Sequence, residues 1–396
     1  AVMVRAAVAR AAAFAGSGPE HAKLTFATQT SRRSLLTFSL PEYVAAPDVD
    51  HDLCAARRGC RACVDVCPQG AISLEGGRIG HDRNLCEPCG RCVTACPTGA
   101  TENPAATAAQ LEAQVRALLA PAGEARGIVY RCRRGSRVEA ASGWYPVTVP
   151  CTAMLTAGWL LAPLVLGAGS VAVRSCTDSG CPLNQDAVVV ERVDWCHRFL
   201  AAVGLPVDRV TRDPDSGPPA PALAVPAVAA SALRDPFGPL GAAVVLGALA
   251  AATATTEGVL ETASGPVGVV DIDPAVCTGC GTCVASCPTG ALRSFDADGR
   301  RSISFDANAC VACGACASRC PEGERGAIAV RAAVDVGRLR AGRTVLSSSE
   351  LVLCRSCGEP VAPAALLARI AALVDDERIL ASLTTRCQDC RGLPVA

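Results

Sequence analysis

Lysine is almost absent from this 396-residue chain: Lys23 stands alone among 37 basic residues, the others being arginine. A P-loop needs Gly-Lys-Ser/Thr, and Lys23 follows His21 and Ala22, so Walker-type nucleotide binding is excluded. The dinucleotide loop G-x-G-x-x-G is missing too. Four histidines, His21, His51, His81 and His197, are too scattered for a histidine-rich metal centre. Aromatic residues reach only 3%, so the cores must be built from Ala, Val and Leu. Net charge is also lacking. Thirty-seven acidic residues balance the 37 basic ones, and no overall field draws the chain to nucleic acid or an anionic membrane. No paired-carboxylate motif, Ser/His/Asp signature, flavin motif or molybdopterin motif is recognised, so catalytic machinery is not expected.

Strongly apolar runs are scarce as well. Met154 to Ala168 is too short for a membrane span and contains Pro163, while Pro236 to Thr256 is mostly Ala and Gly; both are expected to be buried helices. Ser31-Arg32-Arg33-Ser34-Leu35-Leu36 superficially resembles a twin-arginine signal. The apolar stretch that should follow runs from Thr37 only to Leu40 before Pro41-Glu42-Tyr43, so export is not expected.

Cysteine is abundant instead, with 25 residues in tight clusters, mostly two residues apart. That is ligand spacing, not disulfide spacing, because thiolates at C-x2-C can converge on one soft metal centre. A reducing, cytoplasmic setting is expected. Two blocks hold eight cysteines each and form an internal repeat, with Cys63 and Cys67 lying 220 positions before Cys283 and Cys287. Six units are expected. They are an N-terminal helical segment (1–50), the first cysteine block (51–103), a strand–helix–strand domain (104–212), a Pro/Ala-rich linker (213–235), a helix plus the second block (236–335), and a tail (350–396). A helix is expected after Pro104, ending at Pro121-Ala122-Gly123.

The second block reads Cys277-x2-Cys280-x2-Cys283-x3-Cys287-Pro288, then Cys310-x2-Cys313-x2-Cys316-x3-Cys320-Pro321. This resembles the bacterial two-cluster ferredoxins, in which three cysteines hold one [4Fe–4S] cluster and the fourth, ahead of proline, ligates its neighbour. The resemblance implies one cluster on Cys277, Cys280, Cys283 and Cys320 and another on Cys310, Cys313, Cys316 and Cys287. In the first block Cys86, Cys89, Cys92 and Cys96-Pro97 keep the pattern, and Cys67 is expected to join the first three. The leading half, Cys54-x5-Cys60-x2-Cys63-x3-Cys67-Pro68, carries three extra residues within AARRG. A small bulge can absorb them, closing a site on Cys54, Cys60, Cys63 and Cys96; a three-iron cluster is the alternative.

In the middle domain GIVYRC ends at Cys132, PVTVPC at Cys151 and SVAVRSC at Cys176, with Cys181 five residues further on. Strand ends of a parallel sheet gather ligands, so four thiolates would meet there and suit [2Fe–2S] or zinc. This pattern resembles the delta subunit of methyl-viologen-reducing hydrogenases. The resemblance implies a [2Fe–2S] cluster on Cys132, Cys151, Cys176 and Cys181, although the loop reads CTDSGC where the family has histidine and glycine-aspartate. The tail pairs Cys354-x2-Cys357 with Cys387-x2-Cys390, the pattern of a zinc site, with a fifth cubane as alternative. Only Cys196 is left over. It lies beside His197 on a helix, where adjacent side chains diverge, so a buried inert thiol is expected rather than a nucleophilic dyad.

The expected fold class is therefore α+β multidomain: two ferredoxin-like dicluster modules flank a small parallel α/β, flavodoxin-like domain, with a zinc-ribbon-like tail. The expected cofactors are four [4Fe–4S] clusters, one [2Fe–2S] cluster and one Zn2+. The expected role is an electron-transfer subunit with no enzyme activity of its own. It would link a catalytic subunit of hydrogenase or molybdenum/tungsten formate dehydrogenase type to a ferredoxin, flavin or heterodisulfide-type acceptor protein. A free-standing polyferredoxin is the alternative, and nucleic-acid binding is not expected.

Overall fold

A computed structural model describes residues 46–120, 125–135, 141–176, 181–213, 219–223, 235–239, 241–253, 258–262 and 267–391. Nearly all of the expected N-terminal helical segment lies outside them. The first cysteine block starts with β1 (Asp48–Val49) and a 3-10 turn (Ala55–Arg58), followed by α1 (Ala62–Asp65). A hairpin of β2 (Ile72–Glu75) and β3 (Arg78–His81) leads to α2 (Arg91–Ala95) and β4 (Thr101–Glu102), which pairs antiparallel with β1. A small separate core of Ala56, Cys63, Ile72, Ile79 and Cys92 holds this unit. α2 stops at Cys96, whose backbone turns extended (φ −70°, ψ 115°), because a residue ahead of proline disfavours the helical region.

The expected helix after Pro104 forms as α3 (Ala108–Leu119). Thr107 starts it with a capping box: the Gln110 amide donates to Thr107 Oγ1 at 3.1 Å, and the Thr107 amide donates to Gln110 Oε1 at 3.0 Å. Four parallel strands follow: β5 (Gly127–Cys132), β6 (Trp144–Val149), β7 (Ser170–Val173) and β8 (Val210–Arg212), ordered β6-β5-β7-β8. Helices α4 (Ala157–Val165) and α5 (Asp186–Ala202) connect the last three. The order agrees with a flavodoxin-like start, in which the second strand lies outside the first. Ile128, Tyr130, Val147, Val171 and Val173 turn to one face and share a core with α3, α4 and α5. Val129, Trp144 and Ala172 turn to the other and form a small cluster of their own.

One expectation needs correction here. The helix placed over Met154–Ala168 is shorter. A 3-10 turn (Thr152–Met154) comes first, then α4 starts where Thr156 Oγ1 accepts from the Trp159 amide at 3.2 Å. Pro163 sits inside α4 and cannot donate to the Trp159 carbonyl; the Tyr130 hydroxyl does so instead at 3.3 Å. Part of the Pro/Ala-rich linker is held in place. The Ala220 amide donates to Ser170 Oγ at 3.0 Å and Arg209 Nη1 reaches the Pro221 carbonyl, so residues 219–223 lie against the sheet.

α6 (Gly241–Ala251) carries no charged residue, and eight of its eleven residues are buried. It packs on α4 at a point where a Cβ on Gly158 would lie 2.6 Å from Ala242 Cα. It also joins the second cysteine block, so the middle domain and that block share one continuous core. There β9 (Val259–Glu261), β10 (Val269–Ile272), α7 (Thr282–Ser286), β11 (Leu292–Ala297), β12 (Arg300–Asp306), α8 (Ala315–Ser318), β13 (Ile328–Arg331) and β14 (Ala333–Asp335) repeat and extend the first block's plan. β10 pairs with β13, β9 with β14, and β11 with β12, all antiparallel.

After α9 (Val336–Ala341), β15 (Arg343–Leu353) begins before the expected tail boundary at 350 and pairs with β12. β16 (Pro360–Pro363) extends the sheet to β11-β12-β15-β16, and α10 (Ala364–Ala371) and α11 (Glu377–Thr385) close the chain. The tail thus shares a sheet with the second block. Its first cysteine pair follows β15, but the second follows a helix, so the expected ribbon of strands surrounds only half of the site. Among the described residues, no helix is long and apolar enough to cross a membrane.

Candidate metal centres

Burial makes an isolated thiolate unfavourable, and neighbouring thiolates make it worse; a cation bound between them relieves both. Cys63 shows this pattern: burial, then the charges of Cys96, Cys60 and Cys54, push its thiol up to about 12. Four cysteines from the two halves of the block are thereby brought together. The extra residues that separate Cys54 from Cys60 fold into the 3-10 turn Ala55–Arg58, closed by Gly59 at φ +88°, whose amide donates back to Ala55 and Ala56. Cys92 is likewise raised by burial, then by Cys89, Cys86, Cys63 and Cys67. Cys67, Cys86, Cys89 and Cys92 line one pocket.

The second block repeats the exchange. Cys277, Cys280, Cys283 and Cys320 line one pocket, and Cys283 is pushed up to about 12 by burial and then by Cys277, Cys280 and Cys316. Cys316 is raised to about 12 by burial, then by Cys310, Cys313 and Cys287. Gly90, Gly281 and Gly314 each follow a middle cysteine at φ +80°, +78° and +72°, in the left-handed region that turns the chain around a centre. In the leading half of the first block, Arg61 takes that place at φ −126°.

Threonines two residues after a cysteine were not anticipated as part of these sites. Thr98, Thr282 and Thr289 place Oγ1 3.7, 3.3 and 3.6 Å from the Sγ of Cys96, Cys280 and Cys287. Burial pushes Cys287 up, but amides of Leu292, Thr289 and Ala291 and the Thr289 hydroxyl outweigh it and leave the thiol below its ordinary value. Such donors stabilise negative charge on sulfur. The Cys-x-Thr spacing was visible in the sequence.

In the middle domain Cys132 ends β5 and Cys151 lies two residues past β6. Their side chains hydrogen-bond. This bond lowers Cys132 to about 6, while the same bond and burial raise Cys151. The Arg134 amide also donates to Cys132 Sγ at 3.4 Å. Cys176 follows β7, the strand on the other side of β5, and its amide donates to Asp186 Oδ1 at 3.1 Å. Cys181 comes after residues 177–180, which lie outside the described set, so the structure brings Cys132 and Cys151 together and places Cys176 at the adjoining strand end. Cys196 is fully buried, with its thiol raised by burial, and His197 Nε2 pairs with the Val210 carbonyl at 2.6 Å; the two form no dyad.

Residues 56–100 and 268–323 match the family described as the 4Fe–4S dicluster domain. Residues 132–223, which span all four middle-domain cysteines, match the delta subunit of methyl-viologen-reducing hydrogenase. An uncharacterized ferredoxin of Methanocaldococcus jannaschii is 36% identical over 58 residues, which make up 92% of that protein and 14% of this chain. The chain belongs to the ferredoxin family. It is an iron–sulfur electron-transfer protein in which two dicluster ferredoxin modules flank a hydrogenase delta-subunit-like domain. The dicluster modules imply [4Fe–4S] clusters, and the converging, mutually repelling thiols described above fit such groups.

Beyond the ferredoxin modules, Cys354, Cys357, Cys387 and Cys390 keep all their sulfurs within 4.8 Å of one another and can hold a metal ion. A tetrahedral Zn–S bond of about 2.3 Å puts sulfurs about 3.8 Å apart; Cys357 and Cys387 stand 3.5 Å apart. Among the described residues no other group of three or more Cys, His, Asp or Glu ligand atoms is this tight.

The centres also adjoin one another. Cys89 and Cys151 share a small core with Ala153, and Arg134 Nη2 pairs with Glu87 Oε2 at 2.9 Å across the same junction. Cys63 is among the charges felt by Cys92. Cys60 is raised by burial and, against a bond from the Ala62 amide, by Cys96, Cys313 and Cys54, so Cys313 of the second ferredoxin module faces the first. Cys283 and Cys316 interact within the second.

Proposed function

We propose that this protein is the electron-transfer subunit of a multi-subunit oxidoreductase and has no catalysis of its own. The series of neighbours Cys151–Cys89, Cys92–Cys63, Cys60–Cys313 and Cys316–Cys283 carries this reading, because it links five sites in one file. In this reading Cys132, Cys151, Cys176 and Cys181 hold a [2Fe–2S] cluster at the head of the file. [4Fe–4S] clusters then lie in turn on Cys86, Cys89, Cys92 and Cys67; on Cys54, Cys60, Cys63 and Cys96; on Cys310, Cys313, Cys316 and Cys287; and on Cys277, Cys280, Cys283 and Cys320. Cys354, Cys357, Cys387 and Cys390 hold a structural zinc, which the tight sulfur spacing favours over a fifth cubane.

When bound, such clusters take up and release single electrons one after another. The chain's own residues exclude water from the sulfurs, donate amides and threonine hydroxyls to them, and fix the centre-to-centre geometry. The delta-subunit-like domain supports docking to a catalytic subunit of hydrogenase or molybdenum/tungsten formate dehydrogenase type. The far module would then pass electrons to a ferredoxin, flavin or heterodisulfide-type acceptor.

Anaerobic purification from native extract tests this. The expected result is co-purification with a catalytic oxidoreductase subunit, together with about 18 iron atoms and one zinc per chain from the proposed ligand sets. Colourless protein, EPR-silent after dithionite, would refute the relay. Elution at the mass of a single chain would favour a free-standing polyferredoxin.

A further inference from the structure

Arg192 lies on α5, 5% exposed, in the core of the delta-subunit-like domain. Among the described residues it has no carboxylate within ion-pair distance, and its Nε has no hydrogen-bond partner. An unpaired buried guanidinium is costly, so a cation kept in such a place calls for an anion nearby. Besides Arg91 and Glu191, the groups that act on it are the sulfurs of Cys151 and Cys196, and of these only Cys151 belongs to the middle-domain ligand set.

Its donors are occupied in an informative way. Arg192 Nη1 donates to the carbonyls of Ala153 and Leu155, the latter at 2.6 Å. These carbonyls flank Met154 in the turn that follows Cys151. Held this way, the turn directs the Ala153 amide to the Cys151 sulfur. It also seats Met154 over Gly90, where a Cβ would come within 2.9 Å of Met154 Cε. Gly90 lies between Cys89 and Cys92 of the neighbouring site. One guanidinium therefore supplies charge to the middle-domain centre, shapes its ligand turn, and sets the contact to the next centre.

We propose that Arg192 is the positioning residue of the middle-domain centre, raising its reduction potential and fixing its approach to the Cys86/Cys89/Cys92/Cys67 centre through the turn at Ala153–Leu155. The inference rests on the [2Fe–2S] reading of that domain. Reduction adds negative charge to such a cluster, and a buried cation bonded to the turn that follows one of its ligands favours the reduced form.

The test uses the full chain with R192K, R192Q and R192M, the last keeping the volume of the stem without its charge. EPR-monitored redox titration and iron content are measured for each. Wild-type protein lacking a [2Fe–2S] signal would remove the underlying reading, independently of the variants. Where the signal is present, R192Q and R192M are expected to retain iron and shift it negative by a tenfold change in the one-electron equilibrium, 59 mV. R192K is expected to stay near wild type. The magnetic interaction between the reduced middle-domain centre and its neighbour should weaken in the neutral variants. A wild-type potential in either neutral variant overturns the proposal, as does an R192K shift as large as theirs. Loss of iron from both neutral variants also overturns it, since the role would then be structural.

Discussion

Replacing Gly158 by alanine tests the helix crossing that joins the middle domain to the second ferredoxin module. In isolation the change should help α4, since alanine is better than glycine in a helix by about 1 kcal/mol. The crossing reverses this. The new Cβ would lie 2.6 Å from both Cα and Cβ of Ala242, against an ordinary carbon contact of about 3.5–4.0 Å. α4 and α6 must then separate by roughly 1 Å, and overpacking of this kind costs about 1–3 kcal/mol. After the propensity gain is deducted, a loss of up to about 2 kcal/mol is expected, corresponding to as much as roughly 30-fold faster unfolding if the loss falls on the unfolding rate. The assay is the rate at which cluster absorbance disappears in denaturant under anaerobic conditions, because such unfolding is irreversible and only a rate is well defined. Ala242→Gly removes the opposing Cβ, so the double variant G158A/A242G should recover part of the loss, with a coupling of about 1 kcal/mol. A G158A protein that unfolds more slowly than wild type, or strictly additive effects in the cycle, would refute this reading of the crossing.

Other outcomes can be checked separately. C387S should abolish zinc binding while leaving iron content unchanged, as measured by metal analysis. Metal binding at the tail requires deprotonated thiols, so zinc affinity should fall as pH is lowered. Hydrogen bonding, led by the Cys387 amide, lowers Cys354 to about 6, but the bonds with Cys357 and Cys387 raise Cys390 to about 12, so the fall should already be present near neutral pH and steepen below 6, as followed with a chelator indicator. T107A removes the capping box of α3 and should cost about 1 kcal/mol in the same unfolding assay, with T107S close to wild type. Ala312 occupies φ +50°, where the corresponding residue of the other half is Gly279 at +69°; A312G should slow unfolding, with a gain of about 1 kcal/mol.

The cysteine spacing made the groups of neighbouring thiols legible, since their approach in these modules is decided within loops of a few residues. Even the irregular AARRG insertion could be judged a bulge, and it folds as a compact 3-10 turn. The strand ends of the middle domain were legible for the same reason: β-branched runs ending in cysteine announce themselves locally. Features decided by distant partners were not. Nothing in Pro236–Thr256 says that its glycines and alanines will meet Gly158 and Asn308. Likewise, the tail showed two cysteine pairs but not that β15 would pair with β12, some forty residues earlier. The Pro/Ala-rich composition suggested a linker but not that Arg209 and Ser170 would capture part of it. Arg192 was hidden because a lone arginine in a helix reads as a surface residue until its burial is seen.

The core shared through α6 bears on how the protein is made. A nascent chain folds from its N-terminus, and the first ferredoxin module, with its separate core, can acquire metal while synthesis continues. The middle domain must wait, because α4 lacks its partner until residue 251 has emerged from the ribosome. Maturation factors that deliver iron and sulfide would therefore find the N-terminal sites ready early and the remaining ones only after translation is nearly complete.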